Sequence, residues 1–239
     1  MELAGLIAEC QKNCGKTYGC RRVQICLERR RSWRSIPTTS LRIMHQYGLL
    51  PEIRRRKKYK QMGQQLHKHE NLSNRNFAAD RPNSKWATDI SCMHTTKGVL
   101  YLSMIRDLYD NSIVDCKAVT EQTASLVLDT INLATEKETV DGELRLHSGQ
   151  GFQCASQAYF NLTKDCGIAP SMSRRGNCYD NALAENFFSI LKTECIYQHK
   201  LTSFDETRQL VNEHVDFCNN ERIQTKTRLT PLEKRCQAA

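Results

Sequence analysis

The chain has 239 residues, 39% hydrophobic and 26% charged, an ordinary soluble composition for one large domain or two modest ones. No run approaches the ~18 apolar residues of a membrane span. The opening MELAGLIAECQKNCGKTYG has neither a basic leader nor a long apolar stretch, so a secretory signal is a poor reading and a cytoplasmic protein the expectation.

The net charge of +9 is unevenly placed. Residues 1–80 hold 17 Lys and Arg against 6 Asp and Glu, whereas residues 81–239 hold 18 against 20. A basic first third on a near-neutral remainder has the form of a nucleic-acid-binding segment attached to a second domain, or of a solubilising tail. The twelve cysteines are scattered without a CxxC pair, so neither a zinc ribbon nor a thioredoxin-like motif is written here.

Residues 1–53 read as helical. Leu3, Leu6 and Ile7 share a helical face, Thr17-Tyr18-Gly19 breaks it, and Val23, Ile25, Cys26 and Leu27 begin a second apolar period. Thr38-Thr39-Ser40 offers an N-cap for a third helix through Leu41, Ile43, Met44 and Tyr47, with Gly48 as its stop. Short Arg-studded helices joined by tight turns suggest a helix-turn-helix module, the alternative being any small helical bundle. Residues 54–80 read as a basic linker: Arg54, Arg55, Arg56, Lys57 and Lys58 open it, and phosphate contact is the expected role of the run.

From Arg81-Pro82 onward the pattern becomes mixed α/β. Strands are expected over Lys85–Ser91, Val99–Ile105 and Ile113–Val119, then a helix over Glu121–Glu136 and a strand over Glu143–His147. A helix over Ser156–Cys166, a strand over Ile168–Ser171 and helices over Asn181–Glu194 and Phe204–Asn219 complete the series. Trp86 reads as core.

Asp89 stands in a strand otherwise built of apolar and small residues, where a carboxylate is either a paired structural acid or a ligand facing a cleft. Glu185 lies on a helix with Asn181, Phe188 and Lys192 at spacings that share its face. The words TDIS (88–91), LHSGQGFQ (146–153) and RRGNCYDNALAENFFSILKTE (174–194), with TYGCRRV (17–23), LRIMHQYGLL (41–50) and PLEKR (231–235), resemble the OrfB-type transposases of bacterial insertion sequences. These belong to the retroviral-integrase superfamily with its acidic DDE triad, and the resemblance covers nearly the whole chain.

The resemblance implies an RNase H-like integrase catalytic core over 81–239 with C-terminal helices, preceded by the helix-turn-helix module. The first and last acids of the triad, catalytic and metal-holding, fall on Asp89 and Glu185. The family's His-Ser-Asp word stands here as His147-Ser148-Gly149, so the second acid is missing. Two Mg²⁺ (or Mn²⁺) ions are expected in the family, their binding weakened here because glycine offers no oxygen ligand. Glu143 and Asp141 lie too far along the strand to replace the lost acid, and His147 is a softer ligand. The resemblance further implies DNA contacts from Lys192, Arg174, Arg175, Arg21 and Arg22, a homo-multimer on DNA, an upstream partner OrfA, and action at the nucleoid. Asn181 is expected to orient Glu185. Where the family carries tyrosine this chain shows Cys20, Cys92, Cys154 and Cys218, the mark of a copy in decay. Each such loss is expected to cost ~2–4 kcal/mol where the site is well packed. Two functions follow: a transposase cutting and joining DNA ends, impaired by Gly149, or a catalytically dead DNA-binding relic that inhibits intact transposase.

Overall fold

The computed structural model describes residues 2–31, 33, 36–51, 70–74, 76–140, 143–174 and 178–238. Arg54, Arg55, Arg56, Lys57, Lys58, Asp141 and Arg175 lie outside these residues.

Three helices come first: α1 (Glu2–Asn13), α2 (Cys20–Arg31) and α3 (Pro37–Gln46). Ile7, Cys10, Val23, Leu27 and Met44 close a small core between them. The start of α3 departs from expectation. Ile36 is the N-cap and makes no side-chain bond, while Pro37, its φ already helical and its missing N–H unneeded in the first turn, opens the helix. The stop is as expected: Gly48 takes φ +65°, with its N–H on His45 O and the Leu49 N–H on Met44 O, a pairing that satisfies the last carbonyls.

The core is a five-stranded sheet in the order β3-β2-β1-β4-β5. β1 (Lys85–Thr95), β2 (Gly98–Asp107) and β3 (Ile113–Val119) form an antiparallel meander, and β4 (Arg145–Ser148) and β5 (Ala169–Met172) add in parallel. α4 (Ala124–Lys137) bridges β3 to β4, and α5 (Gln157–Asp165) bridges β4 to β5. β1 runs four residues beyond the expected Ser91, because the β1–β2 ladder continues to a hairpin where Gly98 adopts φ +134°. β4 begins two residues later than expected, and Glu143 instead pairs with Arg81 at the surface, 2.5 Å away.

Alternation along the strands sends Trp86, Ile105 and Leu146 to one face under α4 and α5, and Ala87, Leu102 and Met104 to the other. The second face is covered by α6 (Ala182–Glu194) and α7 (Phe204–Asn220), making three layers. Trp86 is fully buried, with its indole N–H donated to Asn83 Oδ1 at 3.2 Å.

The chain's two ends meet. α8 (Pro231–Cys236), which periodicity did not suggest, is fixed by a Thr230–Glu233 capping box. Its Arg235 reaches the buried carboxylates of Asp107 (2.7 Å) and Asp110 (2.8 Å) and also Glu138 (2.9 Å). The PLEKR word is therefore a structural clamp here. The N-terminal helices are seated on the same region: the Tyr18 hydroxyl donates to Glu221 O (3.1 Å) and accepts from Ile223 N–H (3.0 Å). Ile223 and Phe217 join the helical core. Among the described residues no helix is long and apolar enough to cross a membrane.

Candidate active site

Asp89 pairs with Met104 in the β1–β2 ladder, and period two places it on the face of Ala87, toward α6. The parallel β1–β4 register runs from Lys85 opposite Arg145 to Thr88 opposite Ser148. One further step sets Gly149 beside Asp89, at the carboxyl end of β4 where open sheets leave a crevice. A Cβ built on Gly149 would stand 3.7 Å from Asp89 Oδ1 and 3.9 Å from Asn181 Nδ2, ordinary contact distances. Its φ lies outside the left-handed region, so the backbone accepts a residue with a Cβ without strain.

α6 supplies the second acid. Ala184, Phe187, Phe188 and Leu191 are buried against the sheet, and this fixes the helix rotation. Glu185 and Lys192, seven residues apart, consequently share the open face. The three side chains interact electrostatically. Burial pushes the Asp89 carboxyl up to about 6, against the opposing effects of the Ile90 N–H donated to Oδ1 at 2.9 Å and of the Lys192 charge. Glu185 is raised as well, first by burial and then by the charge of Asp89. The structure thus brings Asp89, Glu185, Lys192 and position 149 to one place.

Asn181 precedes α6 and donates Nδ2 to Thr88 O (3.4 Å), bracing β1 one residue before Asp89; no bond to Glu185 is formed. His147 is buried, with Nδ1 at 2.9 Å from Ser171 Oγ on β5, and burial lowers its pKa. Arg174 bonds the buried Asp180 through Nε and its backbone N–H, both at 3.1 Å, so it pins the loop before α6. Arg21 is exposed on α2, far in sequence from the acids, and Arg22 is half-buried, donating Nε to Ile223 O (3.0 Å). Phe152 and Tyr179, 63% and 68% exposed, stand three residues after Gly149 and, in a 3-10 turn, two before Asn181. They were not singled out from sequence, although an aromatic in a polar loop beside each motif was a usable signal.

Asp89 and Glu185 are hard oxygen donors suited to a divalent cation. With glycine at 149 the set stops at two, and no cluster of three or more His, Cys, Asp or Glu side chains able to hold a metal occurs among the described residues. Of the four cysteines read as tyrosine losses, Cys154 and Cys218 are buried in the sheet cores, Cys20 is half-buried and Cys92 is exposed. The core-packing penalty is therefore excluded at Cys92.

Two models, both described as "Integrase core domain", match residues 79–178 and 185–238. The putative transposase InsK for insertion sequence element IS150 of Escherichia coli K12 is 34% identical over 221 residues, 92% of this chain and 78% of its own length. An uncharacterized transposase-like protein of Haemophilus influenzae is 36% identical over 199 residues, 82% of this chain and 91% of its own. In fold the chain is similar to a chain of the simian T-cell lymphotropic virus intasome in complex with PP2A regulatory subunit B56 gamma. There the TM-score is 0.57 and the identity 16%, over 89% of this chain and 70% of that one. The HTLV-2 integrase catalytic core domain, solved in complex with magnesium, aligns with a TM-score of 0.54 at 14% identity, over 66% of this chain and 99% of that one.

Proposed function

The chain belongs to the integrase-core transposases of bacterial insertion sequences, and from that premise we propose that it is a DDE-type DNA nucleotidyltransferase whose cleavage and strand transfer of insertion-sequence ends is impaired by Gly149. The observation that carries this reading is the geometry at position 149. Its backbone points a Cβ at Asp89 from 3.7 Å, in a conformation open to aspartate. The site has the form of a three-acid centre with one acid deleted.

Asp89 and Glu185 would hold a divalent cation, Mg²⁺ or Mn²⁺. When bound, such a cation stabilises the attacking and leaving oxygens of an in-line displacement at phosphorus. The raised proton affinities of both carboxylates are what two acids sharing a desolvated crevice produce without a counter-cation. Lys192 extends the same face and is suited to a phosphate of the DNA end, and Phe152 and Tyr179 offer exposed rings on which unpaired bases can stack. α3 exposes Thr38, Arg42, His45 and Gln46, polar groups suited to base edges, as the recognition helix of the helix-turn-helix module over 1–53. Arg21, Arg174 and Arg175 and the run Arg54–Lys58 add phosphate contacts along the path.

The partners proposed are therefore terminal-repeat and target DNA, further copies of this chain on paired ends, and an upstream OrfA-type subunit, with action at the nucleoid. The deleted acid specifically favours a second reading, a DNA-binding relic that occupies ends and inhibits intact transposase. Incubating the chain with a labelled terminal repeat and Mg²⁺ or Mn²⁺ separates the two. The first expects slow nicking that disappears in Glu185→Gln, and the second expects retention of the DNA with no nicking above that variant.

A further inference from the structure

A cavity of about 210 Å³ lies behind α6, where the N-terminal helices, the β2–β3 end of the sheet and the segment after α7 converge. Asn186 and Ile190 line it from α6. At ~100° per residue they stand roughly 100–140° round the helix from Glu185, so this is not the crevice of the acids. Arg22, Arg106, Arg222 and Lys226 also line it, and no carboxylate does.

The charges are not balanced within the fold. Arg222 pairs with Glu194 through Nε (3.1 Å) and Nη2, and both side chains are largely buried. Arg106 donates Nη1 to Leu183 O (2.7 Å) and Nε to Asn111 O (3.3 Å), while Arg22 donates Nε to Ile223 O. Neither of these two forms an ion pair among the described residues. Four cations thus surround the space, with Glu194 and the more distant charge of Asp110 to offset them. Burial pushes the Arg106 guanidinium down to about 10, against the opposing effects of Cys218 and Asp110, and burial lowers Arg22 too; the charge of Arg222 pushes both in the same direction as burial. Desolvated like charges held together are costly unless an opposite charge joins them.

We propose that this cavity binds a phosphoryl group, donated either by a polynucleotide backbone or by free inorganic phosphate, through Arg22, Arg106, Arg222 and Lys226. The guanidinium fork matches two phosphate oxygens at once; Arg22 keeps both terminal nitrogens for that purpose and Arg106 keeps Nη2. Lys226 is exposed at the rim and supplies a movable point charge. Because its walls come from both ends of the chain, an anion here ties the N-terminal helices to the core. This site goes beyond the end-processing reading and does not depend on the acid pair.

The test uses the full chain without divalent metal, melted in increasing inorganic phosphate against chloride at matched ionic strength. The wild type is expected to show a saturable rise in Tm with phosphate that chloride does not reproduce. Arg106→Gln is expected to raise the half-saturating concentration about tenfold or more, the loss of a charge-assisted bond pair. Should that variant fail to fold, Asn186→Asp decides: the residue is exposed and the change isosteric, so the fold survives while the new carboxylate abolishes the phosphate response. No phosphate effect beyond chloride in the wild type, or an equal effect in Asn186→Asp, overturns the site. A labelled oligothymidylate distinguishes the sources. If a backbone phosphate occupies the cavity, saturating phosphate weakens oligonucleotide binding in the wild type and not in Asn186→Asp. If oligonucleotide binding is indifferent while the Tm response holds, the site takes the free anion.

Discussion

Restoring the missing acid is the sharpest test of the site. Gly149→Asp places a carboxylate on a Cβ 3.7 Å from Asp89 Oδ1, an ordinary contact for that Cβ, with no left-handed φ to strain. Two unit charges ~4 Å apart at an effective dielectric of ~20 repel by about 4 kcal/mol, which solvent at an open crevice reduces to roughly 1–3 kcal/mol. In EDTA at neutral pH the variant should therefore be less stable than the parent by that amount, a gap that narrows as acid protonates Asp89, whose pKa is already about 6. With Mg²⁺ the sign reverses, because three carboxylates bind the cation more tightly and at ~100 times Kd this contributes about 2.7 kcal/mol. A Lewis-acid contribution of several kcal/mol, at 1.36 kcal/mol per tenfold, translates to nicking about 10²–10³-fold faster. The assays are thermal melting in EDTA and in Mg²⁺, and nicking of an end-labelled terminal repeat. Equal Mg²⁺ stabilisation of parent and variant, with unchanged nicking, refutes the deleted-ligand argument.

Four further outcomes are expected. The folded pKa of Asp89, about 6, exceeds its ordinary 3.8, so the unfolded chain binds fewer protons between these values and stability falls as pH rises through that window. Metal-free Asp89→Asn should lack this fall and be roughly 1–3 kcal/mol more stable at pH 7 in urea titrations. Arg235→Ala leaves the fully buried Asp107 and Asp110 without their cation and should lose ~3–5 kcal/mol in the same experiment, whereas a mere surface lysine or arginine loses under 1 kcal/mol. Lys192→Ala should move the Asp89 titration upward, seen by carboxyl NMR, and lower the salt slope of DNA binding by about 1. Binding of the whole chain to DNA should weaken ~10³–10⁵-fold between 50 and 200 mM salt if 6–10 phosphates are contacted, and a flat response removes the basic segment from the interface.

What could be read from the sequence was what local pattern dictates. VLYLSMI (99–105) specifies a buried strand by apolar β-branched and aromatic content, and the seven-residue spacing of Glu185 and Lys192 sets them on one face of α6; Phe188, read onto that same face, is instead buried against the sheet with Ala184, Phe187 and Leu191. The opening of α3 was misplaced because Thr38-Thr39-Ser40 is a good cap by composition, yet Pro37 with its preset φ starts the helix first. Asp107 and Asp110 carry no local sign in the sequence of what they do. Their complete burial depends on Arg235, which lies 128 residues beyond Asp107. His147 was weighed as a substitute ligand by strand period alone; the neighbouring β5, through Ser171, turns its ring to other use.

The same limit explains why the cluster behind α6 was not foreseen. Arg22 was read only as a DNA contact, Arg106 and Arg222 are unremarkable in sequence, and only the meeting of α2, β2 and the segment after α7 gathers the three. That meeting depends on few polar groups. The Tyr18 hydroxyl, buried and with its pKa pushed up to about 12, both donates to and accepts from the 221–223 backbone. Arg29–Glu233 and Arg228–Glu28 pairs reinforce it from the surface. The helices over 2–46 are thus joined to the sheet by contacts as well as by the chain. On the proposed function, a duplex held on the exposed face of α3 would be presented to Asp89 and Glu185 at an offset set by packing, not by the reach of a linker, so the separation between the bound repeat and the cut end would be a property of the fold.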